Sequence, residues 1–132
     1  MSPEQSMVKA FHEKYGHYVS ASPSHLPNDK LITLRVRLME EELSEVKEAL
    51  FDGTLVQIAK ELSDLLYVVY GTAVSFGIDL EPIFAEVHAS NMTKGTEKNE
   101  FGKTMKGPAY READIEPILC EQIMSKGGSI HG

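Results

Sequence analysis

Apolar residues recur along most of the chain at steps of three and four, the spacing of one face of an α-helix. Val8, Phe11 and Tyr15 show this spacing early, and Ile58 and Leu62 continue it in the middle of the chain. The pattern and its capping residues predict five helices: Ser2 or Ser6 to about Tyr15, Asn28 or Asp29 to about Phe51, Thr54 to about Phe76, Glu81 to about Thr93, and, after a cap at Asp114, Ile115 to about Met124.

The breaks between these helices carry turn residues, and no break has the alternation of a strand. Val68-Val69-Tyr70 has high β propensity, but it lies inside a longer pattern of helical period. The stretch from Gly95 to Pro108 is polar and contains glycine, so we expect it to be irregular. The predicted fold class is all-α: a bundle of four main helices plus a short C-terminal helix. One domain is expected over residues 1–126, with a flexible tail at 127–132.

The third predicted helix is apolar over much of its circumference between Leu65 and Val74. A chain of 132 residues forms one small core, which would struggle to cover so wide an apolar surface. We therefore expect the bundle to assemble as a homodimer or a higher homo-oligomer.

Charge is distributed unevenly. The net charge is −7, which argues against a nucleic-acid-binding surface. Residues 91–111, here called the basic segment, carry five basic and two acidic side chains, so the rest of the chain is more acidic than the total suggests. An acidic body with one basic segment can bind an anion through a bound metal and that segment, although solvated lysines in a loop would have the same charge pattern.

Targeting and membrane signals are absent from the sequence. The start lacks a basic region followed by an apolar run, and no stretch approaches 18 uncharged apolar residues, so neither a signal peptide nor a membrane span is expected. Cys120 is the single cysteine and cannot form an internal disulfide, which leaves the cytoplasm as the default location.

Two acidic motifs flank one short turn at Gly53. Glu45 lies eight residues before this glycine and Glu61 eight after it, while Glu42 and Asp64 each lie eleven residues away. If the flanking segments are antiparallel helices, the four carboxylates meet at one level of a helical hairpin. The alternative is a solvated acidic face, which the second helix alone would favour.

The third helix favours metal binding over a solvated face. Glu61 and Asp64 lie among leucines, where a carboxylate is costly to bury unless it is paired or bound to a metal. No run of basic residues lies opposite them, and Arg35, seven residues before Glu42, is expected to form a salt bridge with the cluster. A site made only of carboxylate oxygens suits Mg²⁺, with Mn²⁺ as a substitute. Histidine spacing fits neither a di-iron nor a zinc site.

These motifs resemble the all-α nucleoside triphosphate pyrophosphohydrolases, which include MazG-like proteins, dimeric dUTPases and phosphoribosyl-ATP pyrophosphohydrolases. The signature of that superfamily, E-E-x-x-E followed by E-x-x-D, is present here as Glu41-Glu42-Leu43-Ser44-Glu45 and Glu61-Leu62-Ser63-Asp64. The later run Asn91-Met92-Thr93-Lys94 and the Lys106-Gly107-Pro108-Ala109-Tyr110 run are similar to the MazG-like branch. The resemblance covers roughly residues 6 to 120.

The resemblance implies a role for each matched position. The four paired carboxylates would hold Mg²⁺, and Glu41 would orient or deprotonate the attacking water, or bind a further ion. Asn91 and Lys94 would contact phosphate or sugar. Lys103, Lys106 and Tyr110 follow as further candidates for substrate binding, with simple solvation as the alternative for the two lysines.

The implied reaction is hydrolysis of a nucleoside or deoxynucleoside triphosphate to the monophosphate and pyrophosphate, as in nucleotide-pool house-cleaning. One alternative keeps this chemistry but takes phosphoribosyl-ATP of histidine biosynthesis as substrate. Another is a non-enzymatic helical module that uses its acidic faces to bind a partner. Phe11, His12 and Tyr15 fit either a wall for the nucleobase or core packing, and His88 is expected to be a packing residue.

Overall fold

The computed structural model describes residues 1–126, and this part of the chain contains five α-helices and no strand. The helices are α1 (Pro3–Tyr15), α2 (Asp29–Asp52), α3 (Leu55–Phe76), α4 (Leu80–Asn91) and α5 (Glu116–Ser125). The predicted all-α class and number of helices are confirmed. The flexible tail predicted at 127–132 lies outside the described residues.

Local side-chain caps fix the starts of the first three helices where the sequence predicted them. The Ser2 hydroxyl caps α1, and the Asn28 side chain accepts a hydrogen bond from the Leu31 N–H at the start of α2. At the start of α3, Thr54 and Gln57 exchange side chain to backbone hydrogen bonds of 2.8 and 3.2 Å. This reciprocal capping box orients α3 as it leaves the turn at Gly53.

The last two helices begin differently from the prediction. Asp79 caps α4, so the helix starts before Glu81 and ends at Asn91. Ile115 precedes α5 and supplies no side-chain cap. Asp114, the predicted cap, instead donates its backbone N–H to Glu86 on α4.

The packed core is small and lies where α1 and α2 contact α3. Its buried apolar residues are Val8, Leu26, Val46, Ala49, Ala73 and Val74. Contacts of α4 and α5 with the other helices are sparse, so α1, α2 and α3 form the body of the fold. No single helix within residues 1–126 is long and apolar enough to cross a membrane, although α3 and α4, bent by 115° at their break, meet the length and composition criteria together.

A buried arginine lies at the centre of this three-helix body. Arg35 of α2 is only 6% exposed and donates to the Thr72 hydroxyl at 3.2 Å and the Val68 carbonyl at 2.9 Å. Gly71 makes room for it, because a Cβ at this position would collide with the guanidinium and lie 2.9 Å from His12 Nε2. The expected salt bridge between Arg35 and the acidic residues is therefore wrong, since its side chain turns into the core.

Two glutamines hold the turn between α3 and α4. Gln5 of α1 donates to the Ile78 carbonyl at 2.6 Å and accepts from the Leu80 N–H at 3.0 Å. Gln122 of α5 donates to the Asp79 carbonyl at 2.9 Å and accepts from the Asp79 N–H at 3.0 Å. The chain enters this turn through Gly77, whose φ of 71° favours glycine. These contacts set the direction in which α4 leaves the body.

Within the basic segment, a few backbone groups on either side of a turn pair with each other. The Gly95 N–H donates to the Met105 carbonyl at 3.0 Å, and the Met105 N–H donates to the Glu97 carbonyl at 2.9 Å. An antiparallel bridge joins Lys98 to Thr104. The stretch from Gly95 to Pro108 otherwise has no regular secondary structure, so the expectation that it is irregular is confirmed.

Candidate metal centre

The hairpin of α2 and α3 brings together the four carboxylates whose spacing from Gly53 is symmetric. Each of Glu42, Glu45, Glu61 and Asp64 offers one oxygen, and these four oxygens lie within 4.8 Å of one another. We call these four residues the carboxylate cluster. The tight turn makes the two helices antiparallel, so equal distances from it place the side chains at the same level.

The cluster is partly withdrawn from water and short of hydrogen-bond donors. One oxygen of Glu42 and one of Glu61, the Oε2 atoms, are buried and have no hydrogen-bond partner within the described residues. Burial raises the pKa of Glu61 above its usual value, and the neighbouring Glu45 carboxyl raises it further. A carboxylate that is buried, surrounded by like charge and lacking donors is stabilised most directly by a cation.

The donor set fits a hard divalent cation. It contains only carboxylate oxygens, which Mg²⁺, Mn²⁺ and Ca²⁺ prefer, and no nitrogen or sulfur ligand. Four oxygens within 4.8 Å of one another are close enough to be offered to one cation. The unpartnered Glu42 and Glu61 oxygens would gain a partner.

Lys60 also reaches the cluster, and the sequence analysis missed it. Its ammonium lies 2.7 Å from Asp64 Oδ2 and 3.6 Å from Glu61 Oε1. These carboxylates, Asp64 foremost, raise the pKa of Lys60. Lys60 is a single basic residue on the same helix, so the expectation that no run of basic residues lies opposite this pair is not contradicted. The four-residue spacing from Lys60 to Asp64 was the available signal, since such residues share a helix face.

Glu41 lies on α2 beside the cluster but is not one of its members. Its side chain is exposed, and it forms no hydrogen bond or ion pair with another side chain in the part of the chain that the structure describes. A cleft of about 270 Å³ opens between the cluster and the hairpin turn. Glu45 and Glu61 line one end of this cleft, and Glu48 and Asp52 add carboxylates that the sequence analysis did not single out.

The predicted substrate-binding residues lie on α4 and the basic segment. Asn91 is the last residue of α4, and Lys94 donates its backbone N–H to the Asn91 carbonyl at 3.1 Å. Lys106 sits over the ring of Tyr110, with its ammonium 4.8 Å from the ring centre, and Lys103 is exposed. Within residues 1–126, no hydrogen bond or ion pair joins any of these five residues to the carboxylate cluster.

The basic segment is anchored firmly to α4. Ser90 donates to the Arg111 carbonyl at 2.7 Å, and the Arg111 N–H donates to the Thr93 hydroxyl at 2.8 Å. Glu86 accepts from the Arg111 guanidinium at 2.8 Å and from the Asp114 N–H at 2.7 Å. These two donors, Arg111 first, lower the pKa of Glu86. The segment is therefore held in one orientation relative to α4.

An aromatic group lies close to the cluster in the fold. Phe11 packs edge-on against Tyr67 with 5.5 Å between ring centres, and it also contacts Tyr15 and His17. Tyr67 follows Asp64 by three residues on α3, so both lie on neighbouring parts of one face. His12 is instead buried at 3% exposure, with Nδ1 3.1 Å from the Tyr18 carbonyl, and burial lowers its pKa. The suggested wall of Phe11, His12 and Tyr15 is thus divided between surface and core.

The helical hairpin gathers four carboxylates beside a small all-α core, and comparison with known families shows the class of protein to which this arrangement belongs. The sequence profile of the phosphoribosyl-ATP pyrophosphohydrolase family matches residues 8–91, which include both acidic motifs. The chain belongs to this family, within the MazG-like all-α nucleoside triphosphate pyrophosphohydrolase superfamily.

One relative is an uncharacterised protein of Acanthamoeba polyphaga mimivirus, which is 34% identical over 77 residues. The match covers 56% of this chain and 31% of the viral protein. The chain therefore spans about a third of the length of that relative.

Proposed function

We propose that this protein is a Mg²⁺-dependent nucleotide pyrophosphohydrolase that converts a nucleoside or deoxynucleoside triphosphate and water into the monophosphate and pyrophosphate. The observation that carries the proposal is the carboxylate cluster, in which four oxygens converge. Each of the two helices contributes one residue with a buried oxygen that has no hydrogen-bond partner within the described residues, Glu42 on α2 and Glu61 on α3. Membership of a pyrophosphohydrolase family supports the reaction class. Removal of unwanted nucleotides from the cytoplasmic pool is the proposed physiological role.

The cluster residues would hold the ion, with Glu42 and Glu45 from α2 and Glu61 and Asp64 from α3. A bound divalent cation lowers the pKa of water and stabilises the charge of a phosphate chain. Glu41 would accept the proton of the attacking water, because its exposed carboxylate has no cationic partner within the described residues. The water oxygen would bond to the α-phosphorus as the bond from that phosphorus to the bridging oxygen breaks and releases pyrophosphate.

Asn91 and Lys94 would position the phosphates or the sugar, with Lys103, Lys106 and Tyr110 as additional contacts. Within residues 1–126 no hydrogen bond or ion pair joins these groups to the cluster, so a substrate that is bound by both would have to bridge them, within one chain or across two subunits. A second subunit fits the surface: Leu66 is 56% exposed and Phe84 is 73% exposed. Both line an apolar cleft of about 220 Å³ between α3 and α4. We therefore include a homodimer in the proposal.

A second candidate is hydrolysis of phosphoribosyl-ATP, which the description of the matched family favours. This substrate carries an additional phosphoribosyl group on the base and would need a second anion-binding region. The exposed lysines of the basic segment supply suitable charge.

A substrate panel tests the proposal. Pyrophosphate release would be measured with Mg²⁺ for canonical and modified nucleoside triphosphates and for phosphoribosyl-ATP. Glu45→Gln and Asp64→Asn keep the shape of the side chain but remove its charge, and both should abolish turnover. Glu40→Gln is the matched control, since Glu40 lies on α2 outside the cluster. Absence of turnover of any nucleotide by folded protein would contradict the enzymatic proposal and support a binding module.

A further inference from the structure

Lys60 occupies a distinctive place at the edge of the carboxylate cluster. It precedes Glu61 by one residue and Asp64 by four, and its ammonium contacts an oxygen of each, at 3.6 and 2.7 Å. Both contacted residues belong to the set that would hold a metal ion. The ammonium thus already pairs with one oxygen of Asp64.

The negative charge of the cluster makes the contact with Lys60 important for stability. Four carboxylates with oxygens within 4.8 Å repel one another when no ion is bound. Within residues 1–126, Lys60 is the one basic side chain that forms an ion pair with any of them. Arg35 of α2, which the sequence analysis expected to pair with the cluster, is directed into the core toward Val68 and Thr72. Much of the compensation available in the ion-free protein therefore comes from Lys60.

The same contact opposes metal binding. Asp64 Oδ2 has the shortest approach to the ammonium, and a divalent cation bound by that oxygen would meet a like charge at close range. The Lys60 ammonium can move away from the cluster, because the Lys60 side chain is 68% exposed while that of Glu61 is 17% exposed. A flexible, exposed ammonium can turn into water while the less exposed Glu61 carboxylate stays in place.

We propose that Lys60 is the internal counter-ion of the carboxylate cluster, which holds the α3 carboxylates together when no metal is bound and competes with the divalent cation for Asp64. Lys60 is therefore a positioning residue that sets metal affinity. The inference rests on the proposed function only in taking the cluster to be a metal site, and it makes a statement about binding that does not depend on turnover.

Mn²⁺ binding in the absence of nucleotide tests this inference, with free Mn²⁺ followed by electron paramagnetic resonance. Lys60→Met and Lys60→Gln should each bind Mn²⁺ about two- to fivefold more tightly than the wild type, as expected for loss of a partly exposed ion pair. Lys60→Arg, which keeps the charge, should stay close to the wild type. The ion-free Lys60→Met protein should also melt at a lower temperature, and Mn²⁺ should raise its melting temperature by more.

Lys47→Met is the matched control, because Lys47 is an exposed lysine of α2 that forms no ion pair within residues 1–126. It removes the same charge without touching the cluster, so its Mn²⁺ affinity should change less than twofold. Equal affinities for Lys60→Met and Lys47→Met, or weaker binding by Lys60→Met, would overturn the counter-ion role. Normal Mn²⁺ binding without hydrolysis of any nucleotide would overturn the proposed function alone. Absence of Mn²⁺ binding by every protein would overturn both.

Discussion

The carboxylate cluster and the basic segment both carry residues proposed to act on one substrate, but they belong to different parts of the fold. The cluster comes from two consecutive helices and one short turn, and its four side chains meet within a single chain. The basic segment is anchored to α4, which has few contacts with α2, and none of its predicted binding residues contacts the cluster. Ion binding can therefore be a property of one chain, whereas binding of a whole nucleotide depends on how α4 is placed.

This comparison predicts that the two regions can be disabled separately. Glu61→Gln should reduce pyrophosphate release by at least about a hundredfold, because it removes a charged ligand from the ion site. The same substitution should raise the melting temperature of the ion-free protein, since Glu61 is a partly buried carboxylate among like charges. Activity assays and melting curves with and without Mg²⁺ measure both effects. An ion-free protein that melts at a lower temperature than the wild type would contradict the argument from repulsion.

A substitution in the core should damage the hairpin while leaving the basic segment intact. Gly71→Ala places a methyl group against the buried Arg35 guanidinium, so either the guanidinium must leave its position or α3 must shift. Overpacking of this kind costs about 1–3 kcal/mol of unfolding free energy, which denaturant unfolding would detect. Gly102→Ala is a useful contrast, because Gly102 has open space around it and lies in the basic segment. Its φ of 85° still disfavours alanine, but the strain should be local. Equal Mn²⁺ affinity in wild type and Gly71→Ala would show that the hairpin tolerates the displacement.

Lys94→Ala tests the other side of the comparison. We expect KM for the nucleotide to rise about tenfold, as for loss of one charged contact to phosphate. Mn²⁺ affinity in the absence of nucleotide should stay unchanged, because Lys94 makes no contact with the cluster. Isothermal calorimetry and steady-state kinetics separate the two quantities. A change in Mn²⁺ affinity would indicate that α4 reaches the cluster even without substrate.

The smallest effect is expected from the anchor of the basic segment. Arg111 and the Asp114 N–H lower the pKa of Glu86 below its usual 4.5, so the ionised form stabilises the folded state. This contribution is present above pH 4.5 and is lost as the pH falls through the lower folded-state pKa. Glu86→Gln should therefore flatten the acid side of the stability profile slightly. Melting temperatures of both proteins between pH 3 and 7 would measure it, and identical profiles would show that the anchor contributes no pH-dependent stability.

The features that were predicted well from the sequence depend on residues that are close together in the chain. The cap at Thr54 and the turn at Gly53 depend on a few adjacent residues, and together they fix the level at which Glu45 and Glu61 meet. The spacing rule for helices was enough to pair them before any contact was known.

Features that depend on distant contacts were missed for a physical reason. Arg35 is buried because Gly71, 36 residues later, leaves space on α3, and the sequence does not reveal that the two meet. The pairing of Gly95 with Met105 depends on a polar turn in which Asn99 accepts two backbone hydrogen bonds. Lys60 was within reach of prediction, since its spacing from Asp64 is local.

The two glutamines at the turn between α3 and α4 have a wider consequence. An amide side chain carries both N–H donors and a carbonyl acceptor, and each of Gln5 and Gln122 donates one hydrogen bond to the turn and accepts one from it, as a peptide unit does. They come from α1 and α5, which contribute none of the cluster residues. Substitutions in α1 or α5 could change the direction of α4 and of the basic segment that follows it, while the carboxylate cluster on α2 and α3 stayed the same. Substrate choice and hydrolytic machinery could thus evolve on separate parts of one small protein.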